Sequence, residues 1–107
     1  MKICICTISP DLNSSIAQVF GRCSYFLFVD TETEEFRAIE NKARETVGGA
    51  GIAAAQTVVN EKVKVVIVGN IGPNALTLLE QSGIKVISGV SGTAKEVLEK
   101  FKRGELR

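Results

Sequence analysis

Histidine and tryptophan are absent from this 107-residue chain, proline occurs twice and methionine once. Without histidine, the chain lacks both the usual general base near pH 7 and the commonest neutral metal ligand. The composition therefore reads as that of a non-catalytic protein. A dominant charge is lacking too. Thirteen basic residues stand against twelve acidic ones, a net +1, so no global field draws the chain to nucleic acid or to an anionic membrane. Cysteine is sparse and odd in number, three residues in all. With no secretory feature in view, that count predicts free thiols in a reducing, cytoplasmic compartment rather than a disulfide framework. Met1 to Cys6 carries one lysine before a short apolar stretch, but Thr7, Ser9 and Pro10 end the run and no small-residue cleavage site follows. It reads as a strand, not a signal peptide. With 45% hydrophobic and 23% charged residues, neither disorder nor a membrane span is expected, and one domain over residues 1–107 is large enough to close an aliphatic core.

The most informative stretch runs from Val47 to Ala75. Gly48, Gly49 and Gly51 precede Ile52, Ala55, Val58 and Val59, which recur at helical spacing, so a glycine loop opens directly into a helix. Val63 to Val68, interrupted only by Lys64, is apolar on both alternating faces, as a parallel strand covered on both sides would be. Gly69 to Asn74 then turns the chain, and Pro73 suits the first position of a second helix, which runs to about Ser82 with Gly83 as its stop.

Upstream, Lys2 to Ile8 reads as the first strand, with Ile3 and Ile5 on one face and Cys4 and Cys6 on the other. Ser9 to Cys23 is a polar connection long enough to suggest binding, with a helical turn expected near Ile16 to Phe20. Tyr25 to Val29 is a second strand, Asp30 to Glu35 an acidic hairpin turn, and Phe36 to Glu40 a more polar edge strand. Asn41 to Thr46 is a charged connection. Ile84 to Ile87 is a short fifth strand. Thr93-Ala94-Lys95-Glu96 forms a capping box that opens a last helix, with Ala94, Val97, Leu98 and Phe101 on one apolar face. The order βββαβαβα predicts an α/β fold in which a mixed five-stranded sheet, order 3-2-1-4-5, carries helices on both faces.

Several blocks together resemble a known family. They are MKICICTI; Phe20-Gly21-Arg22 followed by Tyr25 to Asp30; Gly48-Gly49-Ala50-Gly51-Ile52; VVIVGNIGPNA; GIKVI; and SGTAKEVLEKFKRGEL. In this order they are similar to the dinitrogenase iron-molybdenum cofactor biosynthesis family. The resemblance implies a ribonuclease-H-like three-layer fold and, for nitrogenase accessory members, binding or carrying of an iron-sulfur-based or iron-molybdenum cofactor precursor. Members often carry histidine immediately before the Phe-Gly pair, a candidate cluster ligand. Here that position is Val19, and Cys23 on the same loop is the substitute thiolate and metal ligand we infer.

Other motifs fail on context. Gly49 to Ala54 fits G-x-G-x-x-A, but no strand precedes it and Gly69-Asn70 stands where a ribose-binding acid belongs. Neither glycine cluster is followed by Lys-Ser/Thr, so phosphate-loop chemistry is excluded. A nuclease needs carboxylates converging on metal ions, whereas the first strand offers Cys4 and Cys6. Those two cysteines read as core residues, since zinc sites require more ligands than this chain supplies. Cys23 lies beside Arg22, whose charge would lower a thiol pKa, although a half-buried structural cysteine is an alternative. The glycines at 48, 49 and 51 either hold an anion at a helix N-terminus or simply permit close packing. The candidate binding residues are thus Cys23, Arg22, Gly48, Gly49, Gly51 and Asn70. They should meet at the carboxyl ends of the parallel strands, where open α/β sheets place their sites. Two functions remain: a carrier of a metal cluster or anionic small molecule, or a cofactor-free module acting through a protein partner or as a homo-oligomer.

Overall fold

The computed structural model describes residues 1–106. Its centre is β1 (Lys2–Thr7), because both faces of this strand are apolar and each finds a partner layer. β1 pairs antiparallel with β2 (Tyr25–Asp30), which pairs antiparallel with β3 (Phe36–Glu40). On its other side β1 pairs parallel with β4 (Val65–Ile67), and β4 with β5 (Lys85–Ile87), giving the expected order β3-β2-β1-β4-β5. The valine run is buried from Val63 to Val68 except at Lys64, but only three of its residues join the ladder.

Residue parity along the strands sorts the core into two halves. Cys4, Cys6, Phe26, Phe28, Val66 and Val68 face α1 (Ala50–Asn60) and α2 (Pro73–Gln81). Ile3, Ile5, Leu27, Val29, Val65 and Ile67 face α3 (Ala94–Lys102). The α3 N-terminus is closed from within. Thr93 and Glu96 form the capping box, and the N–H groups of Ala94 and Lys95 donate to the carbonyls of Ser14 and Leu12, each at 2.8 Å.

The helical turn expected at Ile16 to Phe20 is not there. Ala17 N–H donates to the Cys6 carbonyl at 2.8 Å, and Gly69 and Asn70 N–H donate to the Ala17 and Gln18 carbonyls at 3.0 and 2.7 Å. Those bonds extend the ladder past the ends of β1 and β4, and they satisfy backbone groups that a local helix would have had to satisfy itself. The helical segment is displaced to a short 3-10 turn, Phe20–Arg22. A second departure is Lys42–Glu45, which forms a 3-10 turn capped by Asn41 where the sequence suggested only a charged connection.

Candidate functional site

Two glycines set how closely the segments at the carboxyl end of the sheet approach. A Cβ on Gly69 would lie 2.9 Å from the Ala17 carbonyl oxygen, so only glycine lets residues 17–18 lie across the end of β4. A Cβ on Gly21 would lie 2.7 Å from the Gly51 nitrogen, so the Phe20–Arg22 turn rests directly on the first turn of α1. The result is a cavity of about 330 Å³ lined by residues 19–22, 49–52 and 72–75.

Two helix N-termini open onto this cavity, and Arg22 and Asn74 add polar side chains. α1 begins after Gly49, which takes φ 69°, and α2 begins after Gly72 with Pro73 in its first turn; neither N-terminus is capped by a side chain. First-turn N–H groups have no intrahelical acceptor, and the helix dipole adds partial positive charge there. Among the described α-helices, only α3 has its N-terminus closed by its own side chains. Val19, about half exposed, contributes apolar wall, as do Ile52 and Pro73. Among the described residues no carboxylate or thiol lines the cavity, and Arg22 is the single charged residue there. Arg22 Nη1 donates to the Arg44 carbonyl and, at 3.0 Å, to the Thr46 carbonyl.

Asn41 holds the underside. It is 2% exposed, and its Nδ2 donates to the Gly21 and Cys23 carbonyls at 3.1 and 2.9 Å while its Oδ1 accepts from Ala43 N–H. Sequence reasoning missed this residue. The available signal was an asparagine directly before a short charged stretch, a pattern in which the side chain caps the turn that follows.

Of the residues singled out in the sequence, Arg22, Gly49 and Gly51 line the cavity. Gly48 stands one residue outside with φ 75° and open space around it. Asn70 is exposed and contributes through its backbone, accepting from Phe20 N–H at 2.9 Å. Cys23 requires correction: it does lie in the connection between the Phe20–Arg22 turn and β2, but it is 2% exposed and packed in the core with Cys4 and Cys6. Arg22 does not activate it, because that guanidinium is held by carbonyls. The hydrogen-bonding contact with Cys6, followed by burial, pushes the Cys23 thiol far up, and burial does the same to Cys6. Both are therefore protonated at neutral pH, whereas a metal ligand must be a thiolate. Accordingly, a neutral alkylating agent should leave all three cysteines unmodified in the folded protein and label all three in urea. Rapid labelling of Cys23 in the native state, read by intact mass, would contradict this.

The family model described as dinitrogenase iron-molybdenum cofactor matches residues 1–104. The chain belongs to this family. An uncharacterized protein of Methanocaldococcus jannaschii is 35% identical to this iron-molybdenum cofactor family member, over 99% of this chain and 89% of its own length. Among solved structures, the apo form of the orange protein from Desulfovibrio gigas superposes with a TM-score of 0.95 at 29% identity, covering 99% of this chain and 90% of that one. A putative NifB protein from Thermotoga superposes at 0.84 with 30% identity, covering 99% and 90%. For a family named after a metal-sulfur cofactor, the donor set matters. Among the described residues no three His, Cys, Asp or Glu side chains are grouped so as to hold a metal ion, and the cavity walls carry none of those types. The donor set of the cavity therefore offers a metal-sulfur cluster no thiolate ligand. No described helix is long and apolar enough to cross a membrane.

Proposed function

We propose that this protein is a non-catalytic carrier, acting in a reducing cytoplasmic compartment, whose cargo is an anionic metal-sulfur species of the iron-molybdenum cofactor precursor class. The observation that carries the reading is the convergence of two helix N-termini without side-chain caps and one arginine on a single cavity free of carboxylates. Backbone dipoles and Arg22 favour negative charge, and the neutral walls favour a weakly hydrated, polarizable surface over a strongly hydrated anion. Without a protein side chain bonded to metal, the cargo is held loosely enough to be handed on.

The test is anaerobic incubation with ferrous iron, molybdate and sulfide, followed by gel filtration, absorption spectra and metal analysis. Coloured material should co-elute with the parent and with Cys23→Ser alike, and be lost from Val19→Glu, which places a carboxylate on an exposed wall position. Loss of loading in Cys23→Ser would return ligation to the thiol. No loading in any variant would sink the cargo reading. It would then favour a cofactor-free protein-interaction role, for which the fully exposed Val47 beside the cavity is the supporting feature.

A further inference from the structure

Arg22 does two things in one place. It lines the cavity, and its Nη1 reaches out to the carbonyls of Arg44 and Thr46. Those carbonyls begin a strap, residues 44–49, that ends at the N-terminus of α1. Val47 in this strap is entirely exposed, and Gly48 and Gly49 take φ 75° and 69° with nothing within 4 Å of where a Cβ would stand. The left-handed glycines are thus not demanded by crowding; they let the strap turn sharply while staying clear of the body. Side chains contribute little to its attachment. Thr46 N–H bonds to Ala43, within the local turn, and Arg44 has a loose 3.8 Å pairing with Glu40. Arg22 is the tie that comes from the cavity itself.

We propose that Arg22 is a positioning residue that couples occupancy of the cavity to the placement of the 44–49 strap. A guanidinium has five N–H donors in a rigid fork; Nη1 holds the strap, which leaves Nε and Nη2 for an anion at the cavity edge. An anion bound there fixes the fork, and the fixed fork fixes the strap. Lysine keeps the charge but has a single nitrogen on a flexible stem, and cannot span both partners. The inference rests on the anion-carrier reading for what occupies the cavity, whereas the tie between Arg22 and the strap exists without a ligand.

Limited trypsin digestion reads both halves, because the bond after Arg44 is a tryptic site whose carbonyl accepts from Arg22. In the ligand-free full chain, Arg22→Ala should be cut after Arg44 about tenfold faster than the parent, as expected for losing a charged hydrogen bond that restrains local opening. Unaltered circular dichroism would show that the fold persists. Equal cutting rates in parent and variant overturn the proposal whatever the cavity binds. The second arm repeats the digestion after incubation with ferrous iron, molybdate and sulfide, with loading measured separately by metal analysis. Loading should slow the cut in the parent but not in Arg22→Lys, even where the lysine variant retains part of the metal. Loading that leaves the parent's cutting rate unchanged overturns the coupling while sparing the carrier reading. No loading overturns the carrier reading and the coupling together, and the ligand-free arm still decides whether Arg22 holds the strap.

Discussion

Gly21→Ala is expected to lower unfolding free energy by about 2–3 kcal/mol, the upper part of the usual range for inserting atoms into a closed contact. One methyl group has this effect because of what it meets. The new Cβ would lie 2.7 and 2.8 Å from the Gly51 nitrogen and Cα and 3.0 Å from the Ala50 carbonyl carbon, all backbone atoms of α1. No side chain can rotate away, so the Phe20–Arg22 turn must lift off the helix, and the cavity between them changes shape. For a domain of this size the loss corresponds to a fall in melting temperature on the order of 10 °C. Gly48→Ala is the control: with φ 75° but open space around it, it should cost about 1 kcal/mol through backbone strain alone. Thermal melts of the two variants side by side decide the matter. Equal, small shifts would mean that the turn and the helix are not tightly seated against each other.

Alkaline pH should destabilise the protein through its core thiols. In the unfolded chain Cys6 and Cys23 titrate near the ordinary thiol value of 9.0, while in the folded protein both are held protonated well above it. Below pH 9 both states carry the thiol protons and stability is unaffected. Above pH 9 the unfolded state binds fewer protons than the folded one, so unfolding becomes more favourable as pH rises. Each thiol contributes about 1.4 kcal/mol per pH unit, so the pair should remove about 3 kcal/mol by pH 10. Urea titrations at pH 7 and pH 10 measure this. The double variant Cys6→Ala/Cys23→Ala will start less stable because it leaves space in the core, but its pH-dependent loss should be smaller by that amount. Identical losses in parent and variant would show that the core thiols do not carry the alkaline effect.

Much of the fold was legible because the relevant signals are local and periodic. Alternation in KICICT marked both buried faces of β1, the valine-rich run interrupted only by Lys64 marked a parallel strand, and Thr93 with Glu96 marked the start of α3. What escaped depends on partners remote in sequence. Residues 16–19 look helical in isolation and are extended because the ends of β1 and β4 offer backbone groups that need them. Cys23 sits in a polar stretch beside an arginine, so sequence suggests a reactive thiol. Burial beside Cys6 and the capture of Arg22 by two carbonyls reverse that reading. The sequence grouped Ser9 to Cys23, Gly48 to Gly51 and Asn70 to Asn74 as segments that follow or adjoin the carboxyl ends of parallel strands, and parts of all three, residues 19–22, 49–51 and 72–74, line one cavity. The role of Asn41, which comes from across the turn, was not legible.

The placement of β1 has a consequence for how the chain acquires its structure. The first of the five strands in chain order is the middle of the finished sheet, and its parallel neighbour is distant: Ile3 pairs with Val65. The β1-β2-β3 meander can form as soon as the chain through Glu40 exists, by short hairpin closures, whereas docking β4 must wait for a far longer loop to close. During synthesis from the N-terminus there is thus an interval in which both faces of the meander are bare: Cys4, Cys6, Phe26 and Phe28 await α1 and α2, and Ile3, Ile5, Leu27 and Val29 await α3. The thiols that the finished protein renders inert are most vulnerable then. Oxidative damage and aggregation would therefore strike the nascent chain, and the rate at which residues 50–81 are made and docked sets how long that exposure lasts.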